Sequence, residues 1–302
     1  MIPKKKTKIC ITAGLLTVVL LFSLLGQTAH AATPPPEKQN ELTLSAVRDK
    51  RTATYPAVTV SYRGTSLGAI GRRINGTVYL PLRTLMTRLS GARVVYDAKN
   101  RTLRATGEGH DISVTDGAYV LYAGGRPLFS MTPSVILNDG RMYVPADLLA
   151  KALSLRVESI SASRLSLTGT VSPLSAGTLP YREDEVYWLS RIISAESRGE
   201  PLLGQIAVGT VVMNRVHSSA FPSTIYGVIF DRRYGIQFSP VANGTVYESP
   251  TYTAILAARI CLEGFTLSEE ILYFVAPTAA TSSWIHNTRT YLFTVKNHEF
   301  YI

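Results

Sequence analysis

Apolar residues recur at helical spacing in several stretches between residues 182 and 264 of this 302-residue chain. One predicted helix, 201–216, is apolar on nearly all sides and is therefore expected to be the buried central helix. Residues 271–277 and 291–302 have β-type patterns, and the second is expected to be a hairpin that turns near Asn297. The four predicted helices cover residues 182–197, 201–216, 221–230 (begun by Pro222) and 249–264 (capped by Ser249).

One position in the first of these helices breaks the apolar pattern. Leu189, Ile192 and Ile193 form a stripe, and the next position on that stripe is Glu196. Burial of a carboxylate costs free energy, so one is expected on a buried face only where it has a role. This position therefore indicates function rather than packing. A carboxyl group in an apolar pocket has a raised pKa and can act as a general acid near neutral pH.

Two segments earlier in the chain, 74–107 and 137–169, share one pattern. Each has a glycine turn, a strand that ends in Tyr-Leu-Pro or Tyr-Val-Pro, a short amphipathic helix and two further strands, and Pro81 and Pro145 are placed to start the helices. This duplication predicts one small α+β module built from two similar halves. The expected fold class is α+β, with this module followed by a mainly helical domain that carries a small β element.

The first 31 residues have the pattern of a secretory signal peptide. A basic start, "MIPKKKTK", precedes an uncharged apolar run, and Ala29-His30-Ala31 matches a signal peptidase site. An uncleaved anchor helix is the alternative, but the run from Ile9 to Leu25 has about 17 residues, at the short limit for a bilayer, so cleavage is favoured. Residues 32–57 are proline-rich and polar and are predicted to be a linker.

Charge and cysteine content narrow the possible partners. The formal net charge of +10 suits an exported protein that meets anionic wall polymers or phospholipid head groups, and nucleic acid is not expected outside the membrane. Contact with the membrane is expected only in transit, through the signal peptide. Cys10 lies in the signal, so Cys261 is left without a disulfide partner and is predicted to be a buried structural thiol.

Residues 58–170, which contain the two Gly-x-x-Tyr-[Leu/Val]-Pro-x-x-x-Leu patterns, resemble the copper amine oxidase N-terminal-like, or stalk, domain. The segment holds one histidine, His110, and no cysteine, so a copper site is not expected. The resemblance implies a spacer or wall-binding module. Residues 171–180, rich in Ser, Pro and Gly, are predicted to be the linker to the next domain.

Residues 181–302 resemble the catalytic domain of the SleB-type cell wall hydrolases, the family of the spore cortex-lytic enzymes. The resemblance rests on "RIISAESRGEPLLGQIAVGTVVMNRV", "FPSTIYGVIF", "YGIQFSPVANGTVY", "ILYFVAPTAATSSWI" and "NHEFY", in that order. It implies a lysozyme-like fold and cleavage of peptidoglycan glycan strands by a lytic transglycosylase. The family's catalytic acid corresponds to Glu196, and the domain is expected to be active by itself.

The same resemblance suggests which residues bind the sugar. The alternatives are that Tyr273 and Trp284 are core residues and that Asn214 caps a helix end, and the sequence leaves both interpretations open. The candidate substrate-binding residues are Ser197, Gln205, Asn214, Gln237, Tyr273 and Trp284.

Hydrolysis by a lysozyme-type mechanism needs a second carboxylate about 5 Å or about 6.5–9.5 Å from the first. Glu200 is expected to cap the next helix or to pair with Arg198, and Asp231 to form a surface salt bridge or to be the second group.

No metal or other cofactor is expected. No His-Glu-x-x-His spacing is present, so a zinc amidase is not expected, and His217, His286 and His298 are predicted to lie in loops or a hairpin.

The leading hypothesis is a secreted, monomeric lytic transglycosylase that cuts the MurNAc-GlcNAc strand to 1,6-anhydro-muramyl ends. A muramidase acting on the same bond and an inactive wall-binding protein are the alternatives. The expected location is the cell wall or spore envelope of a Gram-positive-type bacterium. The sequence leaves spore cortex, vegetative wall and septum open as targets.

Overall fold

A computed structural model describes residues 54–277 and 284–302 of the chain. The predicted signal peptide and most of the predicted linker 32–57 lie outside the described residues. Within the two described ranges, no helix has both the length and the apolar character that crossing a membrane requires.

The amino-terminal module is built mainly from β-strands. Its strands are β1 (Ala57–Tyr62), β2 (Thr65–Ile74), β3 (Thr77–Pro81), β4 (Arg93–Asp97), β5 (Thr102–Gly107), β6 (His110–Thr115), β7 (Val120–Ala123), β8 (Arg126–Phe129), β9 (Val135–Ile136), β10 (Met142–Pro145), β11 (Arg156–Ile160) and β12 (Arg164–Thr168). Among the described residues they form a seven-stranded sheet in the order β11-β12-β1-β2-β3-β10-β9 and a five-stranded sheet in the order β4-β5-β6-β7-β8. Strands β1 and β12 pair in parallel.

The predicted repeat is visible at the centre of the seven-stranded sheet. Strands β3 and β10 pair antiparallel, with Tyr143 opposite Pro81 and Pro145 opposite Tyr79. A short helix follows each strand directly, α1 (Leu82–Leu89) and α2 (Ala146–Ala152). The halves then diverge, because β4 and β5 start the second sheet whereas β11 and β12 return to β1. The halves are therefore alike locally but not in strand pairing.

The carboxy-terminal domain is mainly helical, and this confirms the predicted α+β class for the chain. Two helices begin later than predicted, because threonine hydroxyls cap them: Thr224 accepts from the Gly227 amide at 3.0 Å, and Thr251 accepts from the Ala254 amide at 3.2 Å. The elements are α3 (Glu183–Ser197), α4 (Leu202–His217), α5 (Ile225–Ile229), α6 (Ser239–Asn243), α7 (Tyr252–Leu262), β13 (Tyr273–Val275), α8 (Trp284–Thr288), β14 (Tyr291–Val295) and β15 (His298–Tyr301).

Helix α4 is the buried central helix, as predicted, and α3 and α7 pack against it. Close packing explains a glycine in its middle: a Cβ on Gly209 would lie 2.7 Å from Cys261 Sγ and 2.8 Å from Ile193 Cδ1. The Cys261 side chain is buried, and burial raises the pKa of its thiol to about 12. The prediction of a structural thiol is therefore confirmed.

A buried ion pair joins the two modules. Arg126 of β8 donates from Nε and Nη2 to the two carboxylate oxygens of Glu263, at 2.8 and 2.7 Å. Arg126 is 8% exposed and Glu263 is 5% exposed. Lys151 also donates from Nζ to the Glu263 carbonyl oxygen.

Apolar side chains continue this contact. Val120 and Phe129 of the amino-terminal module belong to the hydrophobic core of the helical domain, and the Phe129 ring meets the Phe265 ring edge-on at 4.7 Å. The predicted linker 171–180 also packs closely, since a Cβ on Gly124 would lie 1.9 Å from the Leu174 carbonyl oxygen. The two modules thus share a core, and the isolated segment 181–302 would expose part of it.

Candidate active site

Glu196 lies in the last turn of α3, on the wall of a cavity of about 1080 Å³. The stripe predicted from the sequence is present, since Leu189, Ile192 and Ile193 are fully buried. Helix α3 ends at Ser197, so its final turn places the Glu196 carboxyl where the packed core gives way to the cavity.

The Glu196 carboxyl has no hydrogen-bond or ion-pair partner among residues 54–277 and 284–302. Burial raises its pKa to about 7, and the positive charge of Arg215 acts in the opposite direction. A group with this pKa is present as acid and as base in comparable amounts near neutral pH, which suits a residue that donates a proton and then takes one back.

Arg215, near the end of α4, supplies the cation in this part of the cavity. Only its Nε has an acceptor in the described part of the chain, the Leu272 carbonyl oxygen at 2.8 Å. Its guanidinium carbon lies 5.0 to 5.5 Å from the ring centroids of Phe221, Phe238 and Tyr273. Burial lowers the Arg215 pKa to about 10, which leaves it a cation at neutral pH.

Three of the six candidate substrate-binding residues line the cavity: Gln237, Tyr273 and Trp284. The ring centroids of Tyr273 and Trp284 lie 6.2 Å apart, and the two ring planes are nearly perpendicular. The described lining residues are Glu196, Arg215, Ala220, Phe221, Asp231, Tyr234, Ile236, Gln237, Phe238, Ser239, Tyr273, Phe274, Val275, Ala276, Trp284, Ile285, Arg289 and His298.

The other three candidates, Ser197, Gln205 and Asn214, do not line the cavity. The Ser197 hydroxyl donates to the Ile193 carbonyl oxygen within α3 at 2.6 Å, and Gln205 Nε2 donates to the Glu200 carbonyl oxygen at 2.9 Å. Asn214 Nδ2 donates to two loop carbonyl oxygens at 2.9 Å each. Ser197 and Gln205 thus bind backbone close by in the chain, whereas Asn214 binds the backbone of a loop more than fifty residues away and does not cap a helix end as the alternative had it.

Glu200 is buried, but it neither lines the cavity nor pairs with Arg198 as expected. Arg198 instead reaches Glu248, at 3.5 Å. Glu200 accepts from Asn297 Nδ2 at 2.9 Å, and its carboxylate lies 3.7 Å from His298 Nδ1. The carboxylate therefore fixes the turn between β14 and β15, which lies near Asn297 as predicted, and it places the His298 ring at the cavity.

Asp231 forms the salt bridge that was one of its two expected roles, and it does so on the cavity wall. It is largely buried and lines the cavity, and it forms an ion pair with Arg233 at 2.9 Å. Hydrogen bonds from Arg233 lower the Asp231 pKa, so this carboxylate is ionised at neutral pH. Glu196 and Asp231 thus have opposite protonation preferences within one cavity.

Sequence reasoning missed Arg215, although the chain carries a signal for it. Val208, Val211 and Val212 form a fully buried stripe on α4, and Arg215 is the next position on that stripe. A charged residue at a stripe position is the same anomaly that pointed to Glu196. Arg289 has no such local signal, because α8 is short and exposed.

Two of the three histidines predicted to lie in loops or a hairpin lie in helices instead, and the third, His298, lies in the hairpin as predicted. His217 is the last residue of α4, His286 lies in α8 within 3.1 Å of Glu299, and His298 begins β15. Among the described residues, no group of three or more His, Cys, Asp or Glu side chains could hold a metal ion.

Comparison with known protein families adds to this geometry. Residues 199–301 match the Cell Wall Hydrolase family model, and residues 70–166 match the Copper amine oxidase N-terminal domain model. The chain carries a cell wall hydrolase domain. This match includes most of the residues that line the cavity but begins three residues after Glu196, so it does not include the carboxyl group.

Two relatives align with the cell wall hydrolase domain over 105 residues. The spore cortex-lytic enzyme of Bacillus cereus is 41% identical over 35% of this chain and 39% of the relative, and that of Bacillus subtilis (strain 168) is 38% identical over 35% of this chain and 33% of the relative. The chain thus spans about two fifths or less of these relatives' length. A solved catalytic domain of the germination-specific lytic transglycosylase SleB from Bacillus anthracis is 38% identical, with 40% of this chain and 97% of that chain covered and a TM-score of 0.37.

Proposed function

We propose that the cell wall hydrolase domain cleaves the glycan strand of peptidoglycan as a lytic transglycosylase, with Glu196 as its one catalytic residue. The observation that carries the proposal is a carboxyl group with a pKa of about 7, free of hydrogen bonds within the described residues, on the wall of a large cavity. The Cell Wall Hydrolase match over residues 199–301 supports the substrate class. The names of the Bacillus relatives make spore cortex the first substrate to test.

One carboxyl group is sufficient for this reaction. Protonated Glu196 gives its proton to the glycosidic oxygen, and the bond from C1 of the muramyl residue to that oxygen breaks. The resulting carboxylate then takes the proton of the C6 hydroxyl, whose oxygen forms a new bond to C1. The products are a 1,6-anhydro-muramyl end and a free GlcNAc hydroxyl, and no water is consumed.

A muramidase is the second candidate, and Asp231 is the observation in its favour. This ionised carboxylate lies on the wall of the same cavity as Glu196 and could stabilise positive charge on the sugar while water attacks C1. The firm ion pair with Arg233 argues for the transglycosylase, because it holds the carboxylate away from a nucleophilic role.

The new sugar ends distinguish these reactions. Digestion of purified peptidoglycan is expected to give 1,6-anhydro-muramyl ends, measured by mass spectrometry. Reducing muramyl ends would instead show a muramidase. No new ends on cortex or on vegetative wall would show a wall-binding protein without this activity. The Glu196→Gln variant serves as the inactive control in this digestion.

The pH dependence of activity follows from the pKa of Glu196. Because the acid form starts the reaction, kcat/KM is expected to be constant below about pH 6 and to fall roughly tenfold per pH unit above pH 7. Asp231→Asn is expected to leave this inflection in place, because Asp231 is already ionised throughout the range. A kcat/KM that is flat or rising between pH 6 and 8 would contradict the assignment of Glu196.

The cellular location is part of the same proposal. A peptidoglycan substrate lies outside the cytoplasmic membrane, and the predicted signal peptide and the formal net charge of +10 suit a protein that works there against anionic wall polymers. We also expect the protein to act as a monomer.

A further inference from the structure

The Arg215 guanidinium is a buried cation with few partners. It is 5% exposed, its Nη1 is buried without a hydrogen-bond acceptor, and no carboxylate lies within 4.0 Å of it among the described residues. A buried charge is costly unless a counter-ion and hydrogen bonds compensate it. Neighbouring aromatic rings supply part of that compensation, and the cavity leaves room for the rest.

A second cation meets the same tyrosine ring. The guanidinium carbon of Arg289 lies 4.3 Å from the Tyr273 ring centroid, and that of Arg215 lies 5.5 Å from it. Arg289 also lies 5.0 Å from the Trp284 ring centroid, and its Nε is buried without an acceptor. Stacking of this kind holds a guanidinium in one orientation before a ligand arrives.

The other ionisable groups of the cavity do not cancel these two charges. Asp231 is neutralised by Arg233, and Glu196, with its pKa of about 7, is only partly ionised at neutral pH. His298 adds no anion, and burial lowers its pKa. The described lining thus has an excess of positive charge around Tyr273.

We propose that Arg215 and Arg289, held against the ring of Tyr273, form an anion subsite that binds a carboxylate on the lactyl arm of a muramyl residue. A guanidinium suits a carboxylate because its parallel N–H groups match the two oxygens, and a second cation against the same ring adds to the attraction. Two sources share this chemistry: the lactyl carboxylate of a muramyl residue without a stem peptide, and the carboxylate of a single amino acid attached to it. The inference rests on the proposed function and specifies which sugars that site prefers.

This assignment changes the role expected for two aromatic residues. Because Arg289 stacks on Tyr273 and Trp284, the rings act first as a support for the cation, and contact with the sugar is secondary. Loss of the cation is therefore expected to raise KM for substrates that carry the carboxylate and to have little effect on neutral ones.

The test uses matched glycan strands and the full chain. One strand carries stem-free muramyl residues with their carboxylates, a second carries a single alanine on the lactyl group, and a third is the first after chemical reduction of its carboxylates to alcohols. The wild-type protein is expected to have a KM at least about tenfold lower for one of the charged strands than for the reduced strand. The charged strand with the lower KM identifies the source of the carboxylate.

Arg289→Gln is the informative variant, because Arg289 does not act on the pKa of Glu196, whereas Arg215 does. We expect this variant to lose the preference for the charged strand, so that its KM for that strand rises to the value for the reduced strand. Arg156→Gln, an exposed position on β11 with the same change of charge, is expected to keep the full preference. Equal KM values for charged and reduced strands in the wild-type protein would overturn the proposal.

Equilibrium binding separates this proposal from the proposed function. Calorimetry with Glu196→Gln measures affinity for the same strands without cleavage. Tighter binding of a charged strand by a protein whose wild type cleaves nothing would support the subsite and refute the proposed reaction. Cleavage of both strands with equal affinity would support the reaction and refute the subsite.

Discussion

Glu196→Gln is expected to lower turnover of glycan strands by at least about 10²–10⁴-fold, the usual range for a general acid–base group, while the fold is retained. Glutamine is nearly isosteric with the protonated acid, and the carboxyl it replaces has no partner to lose within the described residues. The measurement is kcat on soluble strands, with a melting curve of each protein beside it.

The pH dependence of stability provides an internal check on this variant. The pKa of Glu196 is raised in the folded protein from 4.5 to about 7, so the wild type loses stability as pH rises through that interval. The variant lacks this loss, and its melting temperature is expected to exceed that of the wild type at pH 8 but not at pH 4.

Glu200→Gln is the matched control, four residues along the chain. Its side chain can still accept the hydrogen bond from Asn297, so a much smaller loss of turnover is expected. A folded Glu196→Gln protein with near-normal turnover would refute the assignment, and a folded but inactive Glu200→Gln protein would move the acid to Glu200.

Glu263→Ala is expected to lower the free energy of unfolding by about 3–5 kcal/mol, because it leaves the Arg126 cation buried without its partner. Among the described residues, the remaining acceptor of Arg126 is the Thr178 carbonyl oxygen at 3.4 Å. The contact from Lys151 is to the backbone of residue 263 and survives the substitution. Urea denaturation at pH 7 measures the loss.

An exposed ion pair provides the comparison. Asp111 pairs with Arg104 at 2.9 Å, with side chains that are 49% and 61% exposed, and Asp111→Ala is expected to cost less than about 1 kcal/mol. Replacement of both buried partners, Arg126→Met with Glu263→Leu, is expected to restore most of the lost stability, because no uncompensated charge remains. Equal losses for Glu263→Ala and Asp111→Ala would show that the buried pair does not join the modules.

This interface also bears on the prediction that residues 181–302 are active alone. Phe129 and Val120 complete the apolar core of the helical domain, so a fragment without them exposes that surface to water. We expect such a fragment to be less stable than the full chain. Its activity, if it folds, remains a prediction from the sequence.

Local patterns in the sequence were sufficient for the main elements of secondary structure, though not for the short helices α6 and α8, and for one catalytic candidate. The helix over α3, the buried helix α4, the hairpin turn near Asn297 and the two Tyr-x-Pro strands all follow from spacing within short stretches. Glu196 was identifiable for the same reason, because a carboxylate on an apolar stripe is visible in eight consecutive residues. Helix starts were less predictable, since Thr224 and Thr251 compete with nearby prolines as caps.

Only the tertiary structure decided which polar residues share the cavity. Ser197, Gln205 and Asn214 have suitable chemistry, but their hydrogen bonds are made to backbone carbonyl oxygens, whereas Arg289 reaches the cavity from just beyond a short exposed helix. The pairing of Arg126 with Glu263 joins residues 137 positions apart. Helical periodicity is set by residues close together in the chain, so it can be recognised in the sequence. Long-range contacts such as this ion pair depend on how whole helices and strands pack, and no short stretch of the chain shows that packing.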